Sequence, residues 1–119
     1  MKILIVDDTK LSRAMILKRI PDNVKNSSKI FQGTNGREAV ELYKEIKPDI
    51  TFLDLTMPEM DGFTALEIIR AHDPDALVYV VTADIQAKAR DRVLELGAKG
   101  IERKPIDEGR IAQILDTIR

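Results

Sequence analysis

The 119-residue sequence contains no cysteine and no tryptophan, and aromatic residues make up only 4% of it. Without cysteine, the chain can form neither disulfide bonds nor a thiolate site for zinc. The scarcity of aromatic side chains argues against a module that stacks a flavin ring. The chain also has no excess of charge of either sign, since 19 Lys and Arg nearly balance 20 Asp and Glu. It therefore lacks the positive field that would attract nucleic acid or an anionic membrane.

Long apolar runs are also missing from the sequence. No segment approaches the roughly 20 apolar residues that span a bilayer, and the N-terminal residues lack the apolar region of a signal peptide. We therefore expect a cytoplasmic protein, with no membrane insertion and no direct nucleic-acid binding. The length is typical of one domain with one hydrophobic core, so residues 1–119 are predicted to form a single domain.

Hydrophobic periodicity predicts five strands that alternate with five helices. The strands are predicted at 2–6, 29–32, 50–53, 77–81 and 100–103, and the helices at 10–20, 36–46, 63–71, 86–96 and 108–118. In the first helix, Leu11, Ala14, Leu17 and Ile20 are predicted to form the buried stripe. The polar segment 21–28 is predicted to be a loop. Such an alternation favours a parallel sheet covered by helices on both faces.

The strand sequences also predict their places in the sheet. The strands ending at Val6, Leu53 and Val81 are strongly apolar and belong in the middle, whereas 29–32 and 100–103 are partly polar and suit the edges. The predicted fold is therefore α/β: a (βα)5 doubly wound, five-stranded parallel sheet with the flavodoxin-like order 2-1-3-4-5. In this order the crevice at the topological switch point lies between strands 1 and 3.

Polar side chains follow four of the five strands at one edge: Asp7 and Asp8, Asp54, Thr82 and Lys104. Each also has a structural explanation, since Asp7 and Asp8 or Thr82 could cap the next helix. Three carboxylates in one crevice repel one another unless a cation is present. With neither Cys nor a nearby His among the candidates, all-oxygen ligands favour Mg²⁺ or Mn²⁺.

A metal ion of this kind typically holds a phosphate as well. The Lys104 ammonium and the Thr82 hydroxyl both suit phosphate oxygens. Asp54, at the end of the middle strand, is then the natural nucleophile, and its product would be an aspartyl phosphate. Ala83 is small enough to leave this site open.

The segments IVDD, LDLTMPEMDG, VTA and KP occur in the order and spacing of a known family. From residue 1 to 119 the sequence resembles response-regulator receiver domains of two-component systems, and is similar to the single-domain chemotaxis type. The resemblance implies a phosphorylation-activated switch that accepts a phosphoryl group from the phosphohistidine of a sensor histidine kinase or phosphotransfer protein. It also implies a regulator, not an enzyme, which catalyses only its own phosphorylation and dephosphorylation. Either a single-domain protein or a receiver from a longer regulator fits this pattern.

The resemblance assigns roles to individual residues. It makes Asp54 the phosphoacceptor and a ligand of Mg²⁺, and Asp8 a direct metal ligand. Asp7 would assist through water, and the backbone carbonyl of Thr56 would complete the protein ligands. Two further positions, Thr82 and Lys104, would sense the phosphoryl group.

The resemblance also implies an output surface formed by the fourth predicted helix, the fifth strand and the fifth helix, where a downstream protein binds. The family often has Tyr or Phe three residues before the lysine, as a rotamer switch, and here that residue is Ile101. Ile106 also stands where Phe is frequent. We therefore expect packing shifts, not a swinging ring, to carry the signal.

Two side chains are expected to flank the path of water towards a phosphoryl group on Asp54. These are Thr56, two residues after the phosphoacceptor, and Asp84, two residues after Thr82. We expect both to tune the rate of dephosphorylation.

An enzyme alternative is a Mg²⁺-dependent phosphatase of the haloacid-dehalogenase type, which also uses an Asp nucleophile with a Ser or Thr, a Lys and an acidic pair. That chemistry needs a second acid two residues after the nucleophile, and here the position is Thr56. The acidic pair of such enzymes also comes late in the chain, and 119 residues leave no room for a cap domain.

Overall fold

The computed structural model describes residues 1–83 and 85–118 and contains the predicted alternation of strands and helices. The strands are β1 (Lys2–Val6), β2 (Lys29–Gly33), β3 (Ile50–Leu53), β4 (Val78–Thr82) and β5 (Gly100–Arg103). The helices are α1 (Lys10–Arg19), α2 (Asp22–Asn26), α3 (Gly36–Ile46), α4 (Gly62–His72), α5 (Ala87–Glu95) and α6 (Glu108–Asp116). All ten predicted elements are present, with ends within two residues of the predicted ones.

All strands pair in parallel, in the order β2-β1-β3-β4-β5. The predicted order is therefore confirmed, with the two partly polar strands at the edges. From β1 the chain runs to β2 at one edge of the sheet, and it then returns to β3 on the other side of β1. This reversal opens the crevice of a doubly wound sheet at the carboxyl ends of β1 and β3.

Side chains of successive residues alternate between the two faces of the sheet. On one face, Ile3, Ile5, Ile50 and Phe52 form a buried cluster with residues of α1, α2 and α6. On the other face, Leu4, Val6, Leu53 and Val80 form a second cluster with residues of α3, α4 and α5. Helices thus cover both faces, as the apolar strands required.

The buried stripe predicted for α1 is confirmed only in its second half, at Leu17 and Ile20. Leu11 is 72% exposed and Ala14 is also exposed, whereas Ile16 and Ile20 are buried against the sheet. Leu17 is half-buried and packs at the border of the same cluster. With 3.6 residues per turn, Ile16 and Ile20 lie on one stripe and Leu11 lies well away from it.

This stripe turns polar towards the N-terminus of α1, which explains the wrong prediction. One turn before Ile16 stand Ser12 and Arg13, and both make polar contacts inward. The Ser12 hydroxyl lies 3.4 Å from Lys104 Nζ, and Arg13 donates to the Asp7 carbonyl at 2.7 Å. The inward face therefore carries polar side chains where it reaches the end of the sheet, and the predicted stripe is wrong only at Leu11 and Ala14.

The segment 21–28, predicted as a polar loop, contains the short helix α2. Pro21 fixes the backbone before the first turn, and Asp22 in that turn suits the positive end of the helix dipole. Val24 is only 3% exposed and anchors α2 in the core next to α1. A single apolar residue in a polar segment is too little to predict a helix from periodicity.

Side chains cap several helices at their N-termini. The Asp107 carboxylate accepts a hydrogen bond from the Arg110 N–H at 3.2 Å and so caps α6. Gly97, just after α5, adopts φ +102°, a left-handed conformation that glycine tolerates. None of the described helices combines the length and the apolar character that a membrane span requires.

Thr51 lies in the middle of β3, fully buried, and its hydroxyl has no hydrogen-bond partner within the described part of the chain. We expect Thr51→Val to raise the free energy of unfolding by about 1 kcal/mol, because a methyl group replaces an unpaired buried hydroxyl. Urea denaturation measures the change. As a control, Thr117→Val removes a hydroxyl that donates to the Ile114 carbonyl and should bring no gain. A lower stability in Thr51→Val would contradict this account.

Candidate functional site

The carboxyl ends of the strands define the site, because backbone pairing continues one residue beyond them. The Asp54 N–H donates to the Val6 carbonyl at 3.0 Å, and the Asp7 N–H donates to the Gly33 carbonyl at 3.1 Å. Both aspartates are therefore held by the sheet itself. Their positions are set by backbone pairing with β2 and β1.

The structure brings three predicted site residues together. Asp7, Asp8 and Asp54 each offer a carboxylate oxygen, and these oxygens lie within 4.8 Å of one another. Asp7 and Asp54 are buried, at 1% and 5% exposure, whereas Asp8 is exposed. The cluster is thus closed on the protein side and open to solvent at Asp8.

Lys104 lies over this cluster and connects two of its members. Its Nζ is 2.5 Å from Asp7 Oδ2 and 3.3 Å from Asp54 Oδ2. Burial alone would lower the pKa of Lys104, but its bonds to Asp7 and Asp54 outweigh burial and raise the pKa. Lys104 is therefore a cation, and its backbone N–H donates to the Thr82 carbonyl at 2.9 Å, which ties it to the end of β4.

The charge balance of the cluster indicates what is needed to complete it. Burial raises the pKa of Asp54; Lys104 opposes this shift, and the charge of Asp7 adds to it. Three carboxylates against one ammonium leave two net negative charges in a partly buried site. An oxygen-ligated divalent cation such as Mg²⁺ would neutralise this excess, so the residues present fit such an ion.

The carboxylates of Asp7 and Asp54 are also oriented by neighbouring N–H groups. Asp54 Oδ1 accepts from the Leu55 N–H at 2.8 Å, and Asp7 Oδ1 accepts from the Thr9 N–H at 3.0 Å. Thr9 is also the N-cap of α1, where its hydroxyl oxygen accepts from the Ser12 N–H at 3.2 Å. The capping role considered for Asp7 and Asp8 therefore belongs to Thr9.

Other predicted site residues lie at the same edge of the sheet. Thr82 is the last residue of β4 and is 4% exposed. Thr56 is exposed in the loop between β3 and α4. Asp84 lies outside the described residues, so its predicted role stays a prediction.

Two contributors were missed from the sequence. Thr9 carried a signal, since Thr directly before a helix is a typical N-cap. Arg13 carried none, because its bonds to the Asp7 carbonyl and to the Gln32 side chain, at 2.7 and 2.9 Å, depend on the tertiary arrangement.

The β3–α4 loop (residues 54–61) begins at the candidate phosphoacceptor and is held by hydrogen bonds near both ends. Leu55 and Met57 are buried in the core. The Gly62 N–H donates to the Leu55 carbonyl, and the Gly36 N–H donates to the Met60 carbonyl, both at 2.9 Å. The loop is therefore shaped by backbone contacts with α3 and α4.

Ile101 and Ile106 stand at positions where the family that the sequence resembles often has an aromatic residue, and both are buried. Ile101 is 7% exposed and belongs to the core on the α5 side of the sheet, whereas Ile106 is 3% exposed and belongs to the core on the α6 side. Each side chain is packed into the structure and does not lie on the surface.

Comparison with known proteins gives one consistent family. The model of the response regulator receiver domain matches residues 3–116. CheY chemotaxis proteins of Listeria monocytogenes and Thermotoga maritima are each 40% identical to this chain, over 98% of its length and 96% of theirs.

Solved structures agree with the sequence relatives. A chain of the CheX–CheY–BeF3–Mg²⁺ complex from Borrelia burgdorferi superposes with a TM-score of 0.87 at 31% identity, covering 98% of this chain and 87% of that one. The response regulator domain of Thermotoga maritima CheB superposes with a TM-score of 0.82 at 28% identity, covering 100% and 93%. These matches leave the haloacid-dehalogenase-type phosphatase without support. The chain belongs to the response regulator receiver domain family, and it is a CheY-like signalling regulator that works as a phosphorylation-activated switch.

Proposed function

We propose that Asp54 is the phosphoacceptor of this switch and that residues 1–119 form one receiver domain. The observation that supports this is a buried carboxylate at the end of the central strand, paired with Lys104 and surrounded by two further acids. In the proposed step, a carboxylate oxygen of Asp54 forms a bond to phosphorus while the bond from phosphorus to the donor's histidine nitrogen breaks. That nitrogen keeps the electron pair.

We further propose that the site takes Mg²⁺, or Mn²⁺ in its place. Asp8 and Asp54 would bind the ion directly with the Thr56 backbone carbonyl, and Asp7 would assist through water. When bound, the ion neutralises charge on the phosphoryl oxygens. The chain itself orients the nucleophile, because the hydrogen bond from the Leu55 N–H holds the Asp54 carboxylate in place before the donor arrives.

Lys104 and Thr82 are proposed to convert phosphorylation into a change of conformation. Each can add a charge-assisted hydrogen bond of roughly 1.5–3 kcal/mol to the phosphoryl group, so both together reach roughly 3–6 kcal/mol. Inverting a two-state population from about 1:99 to 99:1 takes about 5.5 kcal/mol, so a full switch needs both. The bond from the Lys104 N–H to the Thr82 carbonyl couples the two strand ends.

The partners proposed for this switch follow from its chemistry. The proposed phosphoryl donor is the phosphohistidine of a sensor histidine kinase or phosphotransfer protein in the cytoplasm. Downstream, a protein would read the surface of α5, β5 and α6, which is the face predicted from the sequence. Because Ile101 is buried in the core behind this face, we propose that repacking transmits the change. The domain would catalyse only its own phosphorylation and dephosphorylation.

Thr56 and Asp84 are proposed to set how long the phosphorylated state lasts. The exposed position of Thr56 supports its part, since an exposed side chain beside the phosphoacceptor can act on approaching water. The half-life of the aspartyl phosphate is the quantity that these two residues should change.

The metal site can be tested with Asp8→Ala. We expect the Mg²⁺ affinity of this variant to fall by about 90% or more, because a direct ligand is removed. Phosphoryl uptake from a small phosphodonor should be lost as well. Its stability without Mg²⁺ should be unchanged or higher, since one of three repelling carboxylates is gone. Calorimetric titration with Mg²⁺ measures the affinity, and chelation of Mg²⁺ should stop uptake in the wild type.

Glu67→Ala is the matched control, because Glu67 is an exposed acid on α4 outside the cluster. It should leave Mg²⁺ affinity and phosphoryl uptake unchanged. Wild-type Mg²⁺ affinity in Asp8→Ala would show that the ligand assignment is wrong.

A further inference from the structure

Asn35, in the turn between β2 and α3, has a side chain that joins two parts of the molecule. It is 6% exposed. Its Oδ1 accepts a hydrogen bond from the Glu38 N–H at 2.8 Å and so caps α3. Its Nδ2 donates to Glu59 Oε2, also at 2.8 Å. Capping needs only the oxygen, so the amide nitrogen has a separate function.

The acceptor of that nitrogen, Glu59, has an unusual backbone conformation. Its φ is +63°, in the left-handed region that glycine tolerates and other residues rarely adopt. Two side chains hold the Glu59 carboxylate: Asn35, which is buried, and Arg37, whose guanidinium lies 3.5 Å from Glu59 Oε1 and is largely exposed. Glu59 is itself exposed, and its contact with Asn35 is the more shielded of the two, because solvent screens the ion pair with Arg37.

Glu59 lies on the β3–α4 loop, three residues after Thr56. Beside it, the Met60 carbonyl accepts from the Gly36 N–H at 2.9 Å. The loop is therefore attached to the start of α3 by one backbone bond and one side-chain bond at adjacent residues. At its other end, the Leu55 carbonyl accepts from the Gly62 N–H. Thr56 stands between these two attachments, so its backbone position depends on both.

We propose that Asn35 is a positioning residue for the metal site: by holding Glu59, it fixes the part of the β3–α4 loop that supplies the Thr56 carbonyl. Asn35 acts through the loop and does not touch the ion. This inference rests on the proposed function, because it gives the Thr56 carbonyl a role as a metal ligand. Groups that orient metal ligands from outside the site typically change metal affinity when they are removed.

Asn35→Asp separates the two functions of the side chain. A carboxylate still accepts from the Glu38 N–H, so the cap is kept, but it presents an oxygen to Glu59 in place of the donor. We expect the dissociation constant for Mg²⁺ to rise about tenfold, and the melting temperature to fall, because two carboxylates now face each other. An added negative charge would by itself tighten cation binding, so weaker binding identifies the lost bond.

The double variant Asn35→Asp with Glu59→Gln reverses the hydrogen bond, since the glutamine amide now donates to the new carboxylate. We expect it to bring Mg²⁺ affinity back to within about twofold of the wild type, as in a double-mutant cycle for two interacting groups. Arg37→Gln is the control: it removes the exposed partner of Glu59 and should not weaken Mg²⁺ binding. Glu59→Ala removes the same bond from the other side and should weaken Mg²⁺ binding at least as much as Asn35→Asp does, because it also removes a negative charge.

Calorimetric titration with Mg²⁺ at fixed ionic strength distinguishes the outcomes. If the wild type binds Mg²⁺ and both Asn35→Asp and Glu59→Ala bind it equally well, the positioning role is wrong and the proposed function stands. If Asn35→Asp is weaker and the double variant is not restored, the bond to Glu59 is not the cause and the inference is also overturned. If the wild type binds no Mg²⁺, the proposed function fails and this inference fails with it.

Discussion

Gly62→Ala is expected to lower the free energy of unfolding by about 3 kcal/mol or more, the range of severe overpacking. A Cβ atom on Gly62 would lie 2.1 Å from the Asp54 carbonyl oxygen and 2.7 Å from the Leu55 Cα. Both are backbone atoms, at the end of the sheet and at the start of the β3–α4 loop. Neither can therefore be moved aside by rotating a side chain. The substitution therefore has to displace either the start of α4 or the candidate phosphoacceptor itself.

Urea denaturation, with Mg²⁺ titration of the protein that remains folded, measures both consequences of Gly62→Ala. Gly33→Ala is the matched control at the same edge of the sheet. Its Cβ would meet only side-chain atoms, the nearest being a Leu42 methyl group at 3.3 Å. We expect that control to stay within about 1 kcal/mol of the wild type, because a side chain can yield slightly. Equal stability of the two variants would contradict the tight contact at Gly62.

The sheet order and the acidic cluster could be predicted because both follow from strand sequences alone. Apolar strands ending at Val6 and Leu53 had to be central, and parallel strands bring their carboxyl ends to one edge. Residues directly after those strands, such as Asp7 and Asp54, were therefore predicted to be neighbours. The structure places them so, with Lys104 between their carboxylates.

Features that depend on contacts between distant side chains could not be predicted in this way. The buried stripe predicted for α1 was wrong in its first half because the inward face there carries Ser12 and Arg13, whose polar side chains contact Lys104 and Asp7. Helix α2 has one buried anchor, Val24, and no apolar period. The bond between Asn35 and Glu59 joins residues 24 positions apart, and neither residue type signals it.

Asp54→Asn is expected to abolish phosphoryl incorporation while leaving the fold intact. An amide oxygen is a far weaker nucleophile than a carboxylate, so no bond to phosphorus forms. The Asn side chain has the same shape and still offers an oxygen to the Leu55 N–H, the contact that Asp54 Oδ1 makes at 2.8 Å. Burial raises the pKa of Asp54 despite its ion pair with Lys104, so the buried charge is unfavourable and we expect the neutral side chain to give stability equal to or above that of the wild type.

Peptide mapping of the phosphorylated protein tests the central claim most directly. The protein is incubated with Mg²⁺ and a small phosphodonor, and the position of the acid-labile phosphate is determined by mass spectrometry. Asp75→Asn, which changes an exposed aspartate after α4, serves as the control. We expect one phosphoryl group per chain, on Asp54, in the wild type and in the control, and none in Asp54→Asn. Stoichiometric phosphate in Asp54→Asn, or phosphate on another carboxylate of the wild type, would contradict Asp54 as the phosphoacceptor.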